Sequence, residues 1–78
     1  MKDLYFLRIG DDDLEAARAY QTKAGAIAAY RRVALELWSY GQTIDATIHL
    51  AQRPADVVEC PDFVLSLGPR GGVSVIGA

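Results

Sequence analysis

The 78-residue chain has few of the residues on which most catalytic and metal sites depend, with one cysteine, one histidine and one tryptophan. A single cysteine excludes an intramolecular disulfide, and a zinc site would lack thiolate partners. No stretch approaches the roughly 18 apolar residues of a membrane span, and the apolar run near the start is too short for a signal peptide. We therefore expect a cytoplasmic protein without a membrane segment, a metal or a cofactor.

Basic residues are also scarce, since eight lysines and arginines stand against ten acids and leave a net charge of −2. That balance argues against a general binder of the phosphate backbone. The charge is segregated, because residues 16–35 carry four basic residues and no acid, between two acidic segments. The 51% hydrophobic share is ample for one domain over residues 1–78, and a chain this short often adds buried area by dimerising.

The clearest helix is predicted from Thr22 to Tyr40. Thr22 is a suitable N-cap, and Gly41 stands where a left-handed residue ends a helix at little steric cost. A helical wheel places an apolar stripe on the face that should pack against a sheet, comprising Ala26, Ile27, Tyr30, Val33, Ala34, Leu37 and Trp38.

Four segments are predicted as strands, namely 3–9, 43–51, 63–68 and 73–77, and the glycines of GPRGG suit a hairpin between the last two. The segment TIDATIHLA (43–51) alternates cleanly between apolar and polar residues. His49 falls on its polar side and is predicted to be a surface or edge histidine. RPADVVECPD (53–62) has two prolines and scattered acids, so we predict a loop or one short turn there.

Residues 14–20 have two competing interpretations. Helix propensity favours LEAARA as a helix capped by Asp12 or Asp13. A strand would instead form a hairpin with 3–9 through the Gly10–Asp13 turn. We favour the hairpin because Thr22 is a suitable N-cap, which indicates that the main helix begins there and does not continue from residues 14–20. The predicted fold is α+β, one antiparallel sheet covered on one face by one main helix in the order β-β-α-β-β-β.

No motif identifies a reaction. The aspartates of DDDLE are contiguous, whereas a calcium loop needs acids at alternate positions and a later glutamate. Asp45 and His49 would lie roughly 13 Å apart along one strand, too far for a hydrogen-bonded dyad. Cys60 has no predicted neighbour that would stabilise a thiolate. We therefore predict a protein that is not an enzyme and acts through its surface.

Several general features point in one direction: a compact α/β domain, an acidic pI of about 5.1, the GDDDLE cluster (10–15) and the absence of a catalytic constellation. TIDATIHLA and PDFVLSLGPRGG are consistent with such a domain. In these features the chain resembles the small anti-CRISPR proteins of phages and mobile elements that act on type I effector complexes. That group shares no sequence motif, so the resemblance assigns no residue roles. It implies stoichiometric inhibition, in which an acidic surface occupies the basic groove that holds target DNA.

On this hypothesis the partner is a protein with a basic surface, and direct contact with nucleic acid is not expected. The partner-binding residues are first Asp11, Asp12, Asp13 and Glu15, and then Asp56, Glu59 and Asp62. One alternative is a nucleic-acid-binding regulatory or antitoxin-like module that uses the basic residues Arg18, Lys23, Arg31 and Arg32. A second alternative is a homodimeric structural or adaptor domain that pairs through an exposed sheet edge.

Overall fold

A computed structural model describes residues 2–10 and 12–77 of the chain. The elements are β1 (Leu4–Ile9), β2 (Arg18–Tyr20), α1 (Lys23–Ser39), β3 (Ala46–Ala51), β4 (Phe63–Leu67) and β5 (Val73–Gly77). The strands form one antiparallel sheet in the order β2-β1-β3-β4-β5, and the predicted α+β arrangement with one main helix is confirmed. Within those residues, no helix is both long enough and apolar enough to cross a membrane.

The central pair of the sheet is β1 with β3, which run antiparallel over six residues from Leu4 opposite Ala51 to Ile9 opposite Ala46. Side chains alternate between the two faces of a strand. The sequence LYFLRI is nevertheless apolar at most positions, which is typical of a strand covered on both faces. In agreement, both Phe6 and its neighbour Leu7 are buried, although they point to opposite sides.

The segment 14–20 forms a hairpin arm with a shorter strand than the sequence suggested. Only Arg18–Tyr20 pairs with β1, with Arg18 opposite Leu7. Residues Leu14–Ala16 form a 3-10 turn instead. The pairing of this segment with β1 is therefore confirmed, but the predicted turn at Gly10–Asp13 is too short, because β2 begins only at Arg18. The good helix formers of LEA take one 3-10 turn before the chain extends.

Helix α1 begins and ends as its local sequence predicts. The Thr22 hydroxyl oxygen accepts a hydrogen bond from the N–H of Gly25 over 3.0 Å. At the other end Gly41 has a φ of +77°, and its N–H donates to the carbonyl of Trp38 over 2.9 Å. The N–H of Gln42 donates to the carbonyl five residues back, over 3.0 Å. These two bonds form a Schellman motif, which satisfies carbonyl groups at the end of the helix.

The core lies between α1 and the face of the sheet that carries Ile48 and Leu65, both fully buried. Three helix residues are buried against it: Ala26, Tyr30 and Ala34. The prediction that Trp38 belongs to this stripe is wrong, because its side chain is 49% exposed. Each step of four residues advances a position by about 40° around the helix axis. By Trp38 the row that starts at Ala26 has therefore turned away from the sheet.

The second face of the sheet is covered over β1 and β3 by the loop of residues 52–62, named the cover loop below. His49 is only 1% exposed there, so its prediction as a surface or edge histidine is wrong. Its ring Nδ1 lies 2.7 Å from the carbonyl oxygen of Val58, in the cover loop. Alternation correctly placed His49 on the face away from the helix, but it could not show that a distant loop folds back over that face.

Candidate functional site

Asp12, Asp13 and Glu15, named the acidic segment below, lie between β1 and β2. All three are exposed, and the ion pairs found among the described residues involve none of them. Asp11, which the sequence places in the same group, lies outside the described residues. The acidic segment therefore presents three solvent-exposed carboxylates within four residues.

Backbone hydrogen bonds give the acidic segment a defined shape. Gly10 has a φ of +64°, a conformation that glycine adopts without steric cost, and its N–H donates to the Asp45 carbonyl over 2.7 Å. The N–H of Ala16 donates to the carbonyl of Asp13 over 2.9 Å. A Cβ at Gly10 would lie 2.9 Å from Cδ1 of Ile44, the end of a side chain that can move aside, so the backbone conformation is the main reason for glycine.

Two acids of the second predicted group, Asp56 and Glu59, are paired with arginines. The carboxylate of Asp56 accepts hydrogen bonds from Arg53 over 3.0 and 3.3 Å. This hydrogen bonding and the negative charge of Asp56 raise the pKa of Arg53 above its usual value. Glu59 lies 3.4 Å from the guanidinium of Arg8, on β1. The Glu59–Arg8 contact links the cover loop to the sheet.

The third acid of that group, Asp62, also has a hydrogen-bond partner within the protein. Its carboxylate accepts the backbone N–H of Leu50 over 2.7 Å, which attaches the end of the cover loop to β3. The cover loop follows β3 and the acidic segment follows β1, and these strands run antiparallel. The cover loop therefore starts at the opposite end of the sheet from the acidic segment, but it folds back until Glu59 reaches Arg8, near the end of β1 from which the acidic segment leaves.

A cleft of about 370 Å³ lies between α1 and the β1–β2 hairpin, beside the acidic segment. Asp12 contributes to its wall together with Arg18 and Arg32, two members of the predicted basic set. Both arginines are exposed. Apolar side chains also line the cleft, among them Leu7, Ile9, Ala29 and Val33. The structure thus joins one predicted acid to two predicted bases in a single mixed-charge cleft.

The other two predicted bases take part in packing. The ammonium of Lys23 lies 4.1 Å from the centre of the Phe63 ring, a cation–π contact. The Nε of Arg31 donates to the carbonyl of Gly71 over 3.2 Å and holds the β4–β5 hairpin against the helix. The four bases therefore do not act as one basic helix face.

Arg8 is a site residue that the sequence reasoning missed. It lines the helix cleft and also a second groove of about 430 Å³, which includes Thr43, Asp45 and Thr47. Its Nε is buried and has no hydrogen-bond partner in the described part of the chain. The available signal was a single charge within the otherwise apolar strand LYFLRI. Such a charge must lie at an edge, pair with an acid or line an opening.

No group of three or more histidine, cysteine or acidic side chains within residues 2–10 and 12–77 is placed to hold a metal ion. Both ring nitrogens of His49 are engaged, Nδ1 by Val58 and Nε2 by the Thr47 hydroxyl at 2.9 Å. Cys60 is exposed in the cover loop.

Comparison with known proteins found no matching family model, no similar curated protein and no similar solved structure. The assignment of a function rests on the residues and the geometry of this chain. Among those features, Asp12, Arg18 and Arg32 line one cleft where the β1–β2 connection meets α1.

Proposed function

We propose that this protein is a non-enzymatic inhibitor that binds a protein partner with a basic surface through Asp12, Asp13 and Glu15. In the manner of the anti-CRISPR proteins that it resembles, it would block target DNA binding by a type I CRISPR effector complex. The observation that carries the proposal is the set of three exposed carboxylates on one hydrogen-bonded turn.

Electrostatics explains how such a segment would compete with DNA. A groove that holds DNA is lined by lysine and arginine side chains, which neutralise phosphates. Exposed carboxylates can meet the same side chains, and complementary charge accelerates and orients the encounter.

The proposal centres on the acidic segment rather than on all seven predicted acids. Asp56, Glu59 and Asp62 each have a partner within the protein. Binding a partner through them would compete with contacts that hold the cover loop. Asp12, Asp13 and Glu15 carry no such cost, because their side chains are exposed and the described ion pairs do not include them.

The decisive experiment neutralises the acidic segment without changing its shape, with Asp12→Asn, Asp13→Asn and Glu15→Gln in one variant. A purified type I effector complex and a fluorescent target duplex supply the readout, as the concentration of the protein that halves DNA binding. Because exposed charge pairs contribute about 0.2–1 kcal/mol each, the variant should inhibit about tenfold less well.

A matched control removes three exposed acids elsewhere, with Asp3→Asn, Glu36→Gln and Asp45→Asn. It changes the net charge by the same amount and should keep full inhibition. Equal loss in both variants would indicate a general charge effect and not a specific site. A wild-type protein that leaves DNA binding unchanged contradicts the proposed target.

The nucleic-acid alternative has some structural support, since Arg18 and Arg32 share a cleft. Asp12 lies in the same cleft and would repel a phosphate, which favours the protein partner. A gel shift with the isolated protein at increasing salt separates the two functions. Tight, salt-sensitive binding that Arg18→Gln and Arg32→Gln abolish would support the alternative.

A further inference from the structure

The two edges of the sheet differ in how well they are protected against pairing with another strand. Proteins commonly protect sheet edges with short strands, charges or prolines. Edge strand β2 is three residues long and carries the exposed Arg18. Edge strand β5 (VSVIG) is five residues long and has no charge and no proline. In the described sheet, no strand lies beyond β5.

The free backbone groups of β5 follow from its pairing with β4. The N–H of Gly68 donates to the carbonyl of Gly72 over 2.7 Å. In an antiparallel ladder the hydrogen-bonded pairs recur every two residues. Ser74 and Ile76 therefore form the next such pairs with β4. The N–H and carbonyl groups that point to the open edge belong to Val73, Val75 and Gly77.

We propose that β5 pairs with β5 of a second copy of this chain, antiparallel and about a two-fold axis at Val75. In this register Val75 lies opposite Val75 of the other copy, and Val73 lies opposite Gly77. Each of these pairs is of the hydrogen-bonded type, because all three residues present their N–H and carbonyl groups outward. The two sheets then continue as one.

The side chains of β5 suit a second copy better than a charged partner strand. Val73 and Val75 already pack against the core on the helix face, and pairing would extend that apolar layer. On the other face Ile76 is 60% exposed and would lie beside Ser74 of the other copy. No like charges meet, because the strand has none. Like charges directly opposite each other would oppose pairing.

The expected association is weak. A single strand pair contributes less area than the roughly 1,000 Å² or more that stable interfaces bury. The oligomeric state should therefore change with concentration. Sedimentation equilibrium over about two orders of magnitude in concentration should show the mass rising from one chain towards two.

The sharpest test is Val75→Pro, which removes an N–H that β4 does not use. Proline is tolerated on edge strands where its missing N–H faces outward. Val75→Ala is the matched control, because it loses similar packing but keeps the N–H. We expect Val75→Pro to dimerise at least tenfold more weakly than Val75→Ala. Equal dimerisation of the two variants, or a wild-type monomer at every concentration, overturns the proposal.

A second variant tests the same interface in case the proline variant does not fold. Ile76→Lys places a charge on the exposed side chain of the edge and should also weaken dimerisation, whereas Val58→Lys in the cover loop should not. Both positions are more than half exposed in the wild-type chain. All these variants keep the acidic segment, so inhibition of an effector complex can be measured separately. A dimer that dissociates on Val58→Lys but survives Ile76→Lys would place the interface elsewhere and refute the proposal.

Discussion

The ring of His49 connects the sheet to the cover loop, with Nδ1 lying 2.7 Å from the carbonyl oxygen of Val58. A carbonyl can only accept, so Nδ1 carries the hydrogen. Nε2 lies 2.9 Å from the Thr47 hydroxyl oxygen. Every polar atom of this buried ring thus has a hydrogen-bond partner, as buried polar groups generally do.

Replacing His49 by phenylalanine should release the cover loop. The phenyl ring is slightly larger than imidazole and cannot hydrogen-bond, so the Val58 carbonyl and the Thr47 hydroxyl lose their partner, at a cost of about 1–3 kcal/mol. Urea denaturation gives the loss in free energy of unfolding. A glutamate-specific protease gives the local effect, since Glu59 lies in the cover loop and should be cleaved faster. Thr47→Val should show a smaller loss, and equal cleavage of the His49 variant and the wild type would contradict the role of the ring.

Tyr30 gives the fold a dependence on alkaline pH. Its hydroxyl donates to the carbonyl of Ile44 over 2.7 Å. Burial, and then the charge of Asp45, raise the pKa of Tyr30 above its ordinary value. A raised folded pKa means that the unfolded chain releases the proton first. The contribution of the protonated Tyr30 hydroxyl to the free energy of unfolding is therefore fully present below pH 10. It is lost as the pH rises through the pKa of Tyr30 in the folded chain.

Urea denaturation at pH 8, 10 and 11 should accordingly show a falling free energy of unfolding for the wild-type chain. Tyr30→Phe removes the titrating group. It should lower stability by about 1–2 kcal/mol at pH 8, because the Ile44 carbonyl loses its donor. Its stability should then decline less between pH 10 and 11 than that of the wild type. Parallel declines would show that another group is responsible.

The N-cap of α1 should make a measurable contribution. Thr22→Ala removes the hydroxyl that accepts the N–H of Gly25, and such changes cost about 1 kcal/mol. Thermal unfolding followed by circular dichroism at 222 nm is the suitable measurement. Thr43→Ala, at an exposed position outside the helix and the strands, should leave the midpoint almost unchanged. If both variants had the same unfolding midpoint, the Thr22 cap would not contribute to stability.

Leu65 on β4 should be among the most sensitive core positions. Its side chain is fully buried and packs in the layer that contains Tyr30 and Ile48. Leu65→Ala should lose about 2–5 kcal/mol, from the transfer of apolar atoms and the cavity left behind. For a small domain, that loss is a large share of the total free energy of unfolding. Ile76→Ala, on an exposed side chain, should cost under 1 kcal/mol in the same urea titration.

The sequence predicted best what depends on neighbouring residues. Thr22 and Gly41 mark the two ends of α1, where the hydrogen bonds join residues no more than five positions apart. The sequence alone was therefore enough to predict both ends. The burial of His49 depends on a loop carbonyl nine residues away that folds back over the sheet. Alternation within one strand reports which face a residue occupies, but it does not report what covers that face.

The candidate site shows the same division. The aspartates that follow the first strand indicated an exposed turn, because their side chains favour turns and water, and Asp12 and Asp13 are exposed. The cleft that joins Asp12 to Arg18 and Arg32 is formed by the packing of α1 on the hairpin. Because acidic and basic residues are segregated along the sequence, these residues belonged to two separate functional hypotheses. The tertiary structure brings them together in one cleft.

Cys60 provides a natural site for a fluorescent label in the cover loop. It is the sole thiol of the chain and is exposed, between Glu59, which pairs with Arg8, and Asp62, which binds the backbone of β3. A fluorophore attached there would label every molecule at one known point. Detachment of the cover loop could then be timed optically in the native sequence, apart from the unfolding of the helix.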